Sequence, residues 1–217
     1  MTPDFLLISD PFVKRISVIE SHEPLVNLAD LSIFLSARRV SSNDLFSFVR
    51  KNVADRLLRA NALLPRGMSL LFEEGYRPIA LQRKLFDDYY RKLAAANPEW
   101  TNERVRLDAT KYVAPPDGVP PHSTGGAFDV SLADERGNEL AMGSCSDDTP
   151  DENNDMNFTD CTEISEEARS NRMRLAEALS EAGFVNYPAE WWHWSYGDQY
   201  WACSAGAQFA IYGSVIL

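Results

Sequence analysis

Two short stretches far apart in the chain constrain its fold more than any other feature: His122-Ser-Thr-Gly-Gly-Ala-Phe-Asp129 and Glu190-Trp-Trp-His193. They hold two of the three histidines, each with a carboxylate nearby. A catalytic zinc takes three protein ligands and keeps a fourth position for water, and two imidazoles with one carboxylate are a permitted set. His122, Asp129 and His193 are therefore expected as metal ligands, and a fold that satisfies them must bring both stretches to one point. Glu190 is then left over. A carboxylate that is not a ligand, but lies a bend away from one, is placed to take a proton from water and hand it to a leaving amine.

A lone histidine is more often a hydrogen-bonded core or surface residue than a ligand. Two of them, each with a partner acid and a glycine-rich or aromatic scaffold, outweigh that reading; His22 has no such setting and is read as structural. On a regular strand Glu190 and His193 face opposite sides, because their offset is odd, so their cooperation requires a local departure that Pro188 can cause. Arg77, between Tyr76 and Pro78, either pairs with Glu73 or Glu74 or holds the oxyanion that attack on an amide creates.

Periodicity places these residues on elements. Lys14 to Glu20 alternates like a strand. Helical spacing runs from Asn43-Asp44 through Leu57 and Leu58 to Pro65-Arg-Gly67, Ser69 to Glu74 reads as a strand, and Gly75-Tyr-Arg-Pro78 turns into a helix closed by Asn97-Pro98. The prolines of Val113 to Pro121 hold an extended lead-in to His122, Gly125-Gly126 permits a bend, and Ala127 to Leu132 alternates with Asp129 away from its apolar side. Gly143 to Glu163 is acidic and aperiodic, a long loop beside or over the site. Ser165 caps a helix with Met173, Leu175, Ala176 and Leu179 on its apolar stripe; Trp192 to Tyr196 alternates again, and Gln208 to Tyr212 reads as a last strand. Helices on short, mostly antiparallel strands without a βαβ rhythm predict a single α+β domain over residues 1–217.

With 217 residues, 45% of them hydrophobic, the chain can bury a full core. A net charge of −11 argues against nucleic acid as partner, since no basic surplus displaces counterions. No run approaches the ~18 apolar residues of a membrane span, and the N-terminus has neither the basic start nor the long apolar core of a signal peptide, so a cytoplasmic location is expected. Cys145, Cys161 and Cys203 follow no metal-ligand spacing and are expected as free thiols. Oligomeric state is not legible.

Taken together, His122-x6-Asp129 with Gly125 and Ala127, Glu190-x-Trp192-His193, and Glu74-Gly-Tyr-Arg-Pro78 resemble the zinc-dependent D-alanyl-D-alanine dipeptidases, the VanX-like group linked to vancomycin resistance and peptidoglycan dipeptide turnover. The resemblance covers roughly residues 70 to 200. It implies the hedgehog-like fold of zinc D-Ala-D-Ala peptidases and one zinc ion per chain on His122, Asp129 and His193. It further implies Glu190 as general base and then acid, Arg77 at the tetrahedral intermediate, and a small dipeptide as substrate. Asp147 in Met142-Gly-Ser-Cys-Ser-Asp147 is the counterpart of the family aspartate that holds the substrate ammonium, and Ser123 is a further candidate for substrate contact. Two positions depart from the pattern: Pro120 stands where the family has a serine, and Ser146 where it has an aromatic residue. Rival readings are a zinc D,D-carboxypeptidase or peptidoglycan endopeptidase of the same superfamily, and a zinc-containing binding module without catalysis.

Overall fold

Alternation builds the centre of the molecule. In the computed structural model, which describes residues 5–38, 45–110, 112–146 and 156–216, the strands Met68–Glu74 (β4) and Ala127–Asp134 (β5) run antiparallel. Leu70 and Phe72 of β4 and Phe128, Val130 and Leu132 of β5 point to one side and are fully buried, with Phe72 stacked on Phe128 at 5.9 Å. The helices Lys51–Leu63 (α2) and Glu166–Glu181 (α5) close that side with Val53, Leu57, Leu175 and Leu179. Each such side chain contributes about 1.5–3 kcal/mol through removal from water.

The sheet has five strands in the order β2-β4-β5-β7-β6, where β2 is Phe34–Leu35, β6 Val185–Tyr187 and β7 Glu190–Ser195. Only β2 and β4 are parallel; every other pairing is antiparallel. A separate two-stranded ladder joins Leu25–Asn27 (β1) to Phe48–Arg50 (β3). The helices Ile79–Ala96 (α3) and Asn102–Ala109 (α4) pack together and follow the turn that leaves β4. The α+β architecture expected from the sequence is the one observed.

Several local expectations are corrected. Asn43-Asp44 lies outside the described residues, and the helix begins only at Lys51. Residues 46–48 are claimed by tertiary hydrogen bonds instead: the Phe46 carbonyl accepts Gly75 N–H at 2.6 Å and the Phe48 carbonyl accepts Tyr76 N–H at 2.7 Å. Lys14 to Glu20 is not a strand. Asp10 caps a short helix, Pro11–Lys14 (α1), and the rest meets the expected final strand in a single parallel bridge, Val18 with Ala210. That expected strand extends no further, because Ile211 and Tyr212 give their N–H groups to the Gly197 carbonyl. Met173 faces solvent at 59% exposure rather than the stripe on α5. Two short helices had no clear periodic signal, α4 and Gln199–Ser204 (α6); each is capped by a side chain, Thr101 and Asp198 respectively.

Candidate metal centre

The strand pairing itself joins the two motifs. β5 and β7 are neighbours with Asp129 directly opposite His193, and cross-strand partners share a face. That face is the one turned away from the apolar core. His122 arrives from a 3-10 turn, Pro121–Thr124, immediately before β5. The turn is closed by Gly125 at φ +70°, a left-handed conformation natural to glycine, and its end is held by buried Arg50, whose Nε donates to the Thr124 carbonyl at 2.7 Å.

Three ligating atoms then converge. His122 Nε2 and His193 Nδ1 are 3.2 Å apart, His193 Nδ1 and Asp129 Oδ1 3.0 Å, and His122 Nε2 and Asp129 Oδ1 3.5 Å. Metal–ligand bonds of about 2.0–2.1 Å at tetrahedral angles place ligands about 3.3 Å apart. The triangle therefore has the dimensions of one face of a tetrahedral site, and its N/N/O donor set suits zinc. Among the described residues this is the only group of three such side chains with a common focus. His122 Nδ1 lies 2.8 Å from the Gly75 carbonyl, which can only accept, so Nδ1 carries the proton and the Nε2 lone pair faces the focus. Gly75 can present that carbonyl because it has no side chain: a Cβ would lie 2.5 Å from the Phe48 carbonyl oxygen. Burial alone would raise the Asp129 carboxyl, yet the two imidazoles hold it well below the usual range.

Glu190 comes to the same side through an irregularity in β7. Tyr187 pairs with Glu190 but Asn186 pairs with Trp194, so Trp191 to His193 bulge out of the ladder. Asn186 Nδ2 bridges the bulge, donating to the carbonyls of Glu190 at 3.1 Å and His193 at 3.0 Å. Glu190 Oε2 ends 3.8 Å from His193 Nδ1. Burial, helped by Asp129 and opposed by His193 and Arg77, pushes its carboxyl up to about 7.

Arg77 is buried and fixed. Its Nε and Nη2 bind Glu74 at 3.1 and 2.6 Å, and Nη1 donates to Gln82 Oε1 at 2.9 Å. A guanidinium has five N–H donors, so two remain without a partner among the described residues. Of the two acids offered by the sequence, Glu74 is the partner. Gln82 was not anticipated; one turn into α3, it is buried at 2% exposure on the same helix as the buried Phe86.

Arg77, Glu190 and all three potential ligands line a cleft of about 260 Å³, walled by Tyr89, Tyr112, Tyr187 and Trp192. That volume lies at the small end of ligand clefts. Ser123 is elsewhere. It is fully buried behind the turn, its hydroxyl donating to the Pro120 carbonyl at 2.7 Å and shared with Ser214 Oγ at 2.7 Å. Asp147 lies outside the described residues; Ser146, the last described residue before it, lines the cleft. None of the three cysteines forms a disulfide, and among the described residues no helix is long and apolar enough to cross a membrane.

The family described as D-ala-D-ala dipeptidase matches residues 38–210, more than half of the chain. A D-alanyl-D-alanine dipeptidase from Synechocystis sp. is 31% identical over 71% of this chain and 71% of its own length. Those from Escherichia coli and Enterococcus faecium are 26% and 29% identical, over 77% and 68% of this chain and 72% of their own lengths. The solved structure of the LdcB LD-carboxypeptidase superposes with a TM-score of 0.51 at 22% identity, covering 88% of this chain and 77% of that one, which shows a shared fold.

Proposed function

The chain belongs to the D-ala-D-ala dipeptidase family of peptide-bond hydrolases, and on that premise we propose that it cleaves D-Ala-D-Ala, or a closely similar short D-amino-acid dipeptide, at one zinc ion held by His122, Asp129 and His193. The observation that carries this reading is the triangle of ligand atoms with edges of 3.0, 3.2 and 3.5 Å, opening onto a cleft that also holds Glu190 and Arg77. When bound, zinc would supply Lewis acidity and a water made acidic near neutral pH.

The chain's own groups do the rest. Glu190, lining the cleft 3.8 Å from His193 Nδ1 and not among the proposed ligands, is placed to take a proton from water and to return it to the departing amine. Arg77 aims two spare N–H bonds from a guanidinium locked by Glu74 and Gln82, so it can meet the developing oxyanion without reorganising. The aromatic walls lower the local dielectric, which strengthens both effects. The cleft's small volume favours a dipeptide over a longer peptidoglycan stem. Glu190→Ala tests the assignment: zinc content measured by metal analysis should stay near one ion per chain, while hydrolysis of D-Ala-D-Ala falls by roughly 10²-fold or more. Near wild-type turnover in that variant would remove Glu190 as the base. Comparing D-Ala-D-Ala with an N-acylated tripeptide ending in D-Ala-D-Ala separates dipeptidase from carboxypeptidase action.

A further inference from the structure

One buried carboxylate beyond β7 has no part in the chemistry above. Asp198 is 1% exposed and caps the first turn of α6: its Oδ1 accepts the Trp201 N–H at 2.7 Å and the Ser195 hydroxyl at 3.2 Å. One oxygen therefore does all the capping. The other, Oδ2, is buried and has no hydrogen-bond partner among the described residues. Burial pushes the carboxyl up, and the Trp201 N–H and the His193 imidazole act against it.

His193 has the complementary orphan. Its Nδ1 faces Asp129 and His122 at 3.0 and 3.2 Å, so a metal at that focus takes the Nδ1 lone pair and the ring proton sits on Nε2. Nε2 is likewise buried with no partner among the described residues. The contrast with His122 is direct, because the outer nitrogen of that ring is 2.8 Å from the Gly75 carbonyl. An acceptor on the outer N–H fixes the tautomer and aim of a ligand imidazole, and a carboxylate in that place also makes the ring a stronger donor to the metal.

The fold brings the two orphans to one side. His193 and Ser195 lie two apart on a stretch of β7 that pairs regularly with β5, so they share a face, and it is Ser195 that holds the Asp198 carboxylate. The Tyr187 ring meets both neighbourhoods, edge-on to His193 at 6.0 Å and to Tyr200 of α6 at 5.5 Å. The two nitrogens of an imidazole point in widely divergent directions. With Nδ1 turned to the ligand focus, Nε2 is turned away from it.

We propose that Asp198 is a positioning residue for the metal centre: its Oδ2 accepts the Nε2–H of His193 and so fixes the tautomer and direction of that ligand. The two atoms are not in hydrogen-bonding geometry, so the link is a single bridging water or a small turn of the ring once the metal is held. The role rests on the metal reading above and deepens it, giving His193 the outer partner that Gly75 gives His122.

Two variants separate this role from helix capping, since asparagine and serine are both good N-caps. Asp198→Asn trades the charged acceptor for a neutral one, and Asp198→Ser is too short to reach the ring. Zinc titration against a competing chelator should show affinity reduced roughly 10-fold in Asp198→Asn and about 100-fold in Asp198→Ser. Nitrogen and proton NMR of the histidine rings supplies the readout that a cap alone would not move. In the zinc-loaded wild-type chain His193 should carry its proton on Nε2, shifted far downfield and slow to exchange, as a charge-assisted hydrogen bond requires; in Asp198→Ser that signal should move upfield and exchange faster. The wild-type signal needs no variant, and Asp198→Ser carries the comparison if Asp198→Asn does not fold. Zinc affinity within about twofold of wild type in the folded variants would overturn the role. So would weaker affinity with the His193 signal unchanged, which would leave Asp198 a helix cap only. A wild-type chain that takes up no zinc would instead overturn the metal reading, and this role with it.

Discussion

Glu73, Glu74 and Glu190 are the same kind of acid in three environments, and the differences are set by what each touches. Burial raises all three; Arg77 reverses the effect for Glu74, while Glu73 and Glu190 stay near 7. For Glu73 this has a thermodynamic sign. Its folded value of about 7 lies above the ordinary 4.5, so between those values the folded chain keeps a proton that the unfolded chain has lost. Stability therefore falls as pH rises through that window, by about 3 kcal/mol once both states are ionised. Glu73→Gln removes the penalty. Urea unfolding of the metal-free chain should show the variant more stable than wild type at pH 8, with the margin closing toward pH 4; an equal margin at both pH values would contradict a buried, unmatched carboxylate. In the proposed mechanism Arg77 works through a planar fork that Glu74 and Gln82 hold in place. Lysine has no such fork. Arg77→Lys should lower kcat by about 10²–10³-fold with little change in KM, as expected for a group that acts on the oxyanion.

At the scale of elements, the site depends on a turn and a bulge more than on regular structure. Gly125 holds φ +70° between the turn that carries His122 and the strand that carries Asp129. Alanine there would clash only with the flexible end of Leu25, its contacts with Arg50 being of ordinary length, so the backbone conformation dominates the cost, about 1–2 kcal/mol. Gly125→Ala should lower stability by that amount and weaken zinc binding roughly 10–100-fold, because relaxation of the turn misdirects His122; denaturant unfolding and metal titration check the two parts. The ligand strands were legible because Phe128/Val130/Leu132 and Trp192/Trp194 alternate strictly, and α3 and α5 because caps and terminators bracket their periodic runs. What escaped the sequence lies where tertiary bonds decide. Residues 46–48 have helical spacing but give their carbonyls to Gly75 and Tyr76. Arg77 could have chosen Glu73 or Glu74, and only the bulge in β4 breaks the tie. The odd offset of Glu190 and His193 demanded an irregularity in β7, but nothing in the sequence identified Asn186 as the residue that spans it.

Across the whole molecule, the three proposed ligands come from a turn, an inner strand and its neighbour, and they meet only when β5 and β7 are paired. An unfolded chain has no such triangle. Zinc held there, as proposed, would stabilise the folded state by mass action, with about 2.7 kcal/mol at a free concentration one hundred times the dissociation constant. For a chain of this size a change of 1 kcal/mol moves the melting temperature by about 2–4 °C, so saturation should raise it by roughly 5–10 °C, and a chelator should reverse the shift. Asp129→Asn is the control that separates this linkage from nonspecific metal binding by a chain of net charge −11. It keeps the shape of the side chain but removes the charge that draws the cation to the two imidazoles, so most of the zinc-dependent rise should disappear; the metal-free melting point should fall as well, because the two imidazoles hold Asp129 ionised, and the rise is read from each chain's own metal-free value. A wild-type chain whose melting is indifferent to zinc, or an Asp129→Asn variant that gains as much from it as wild type, would mean that the triangle is not where the metal acts.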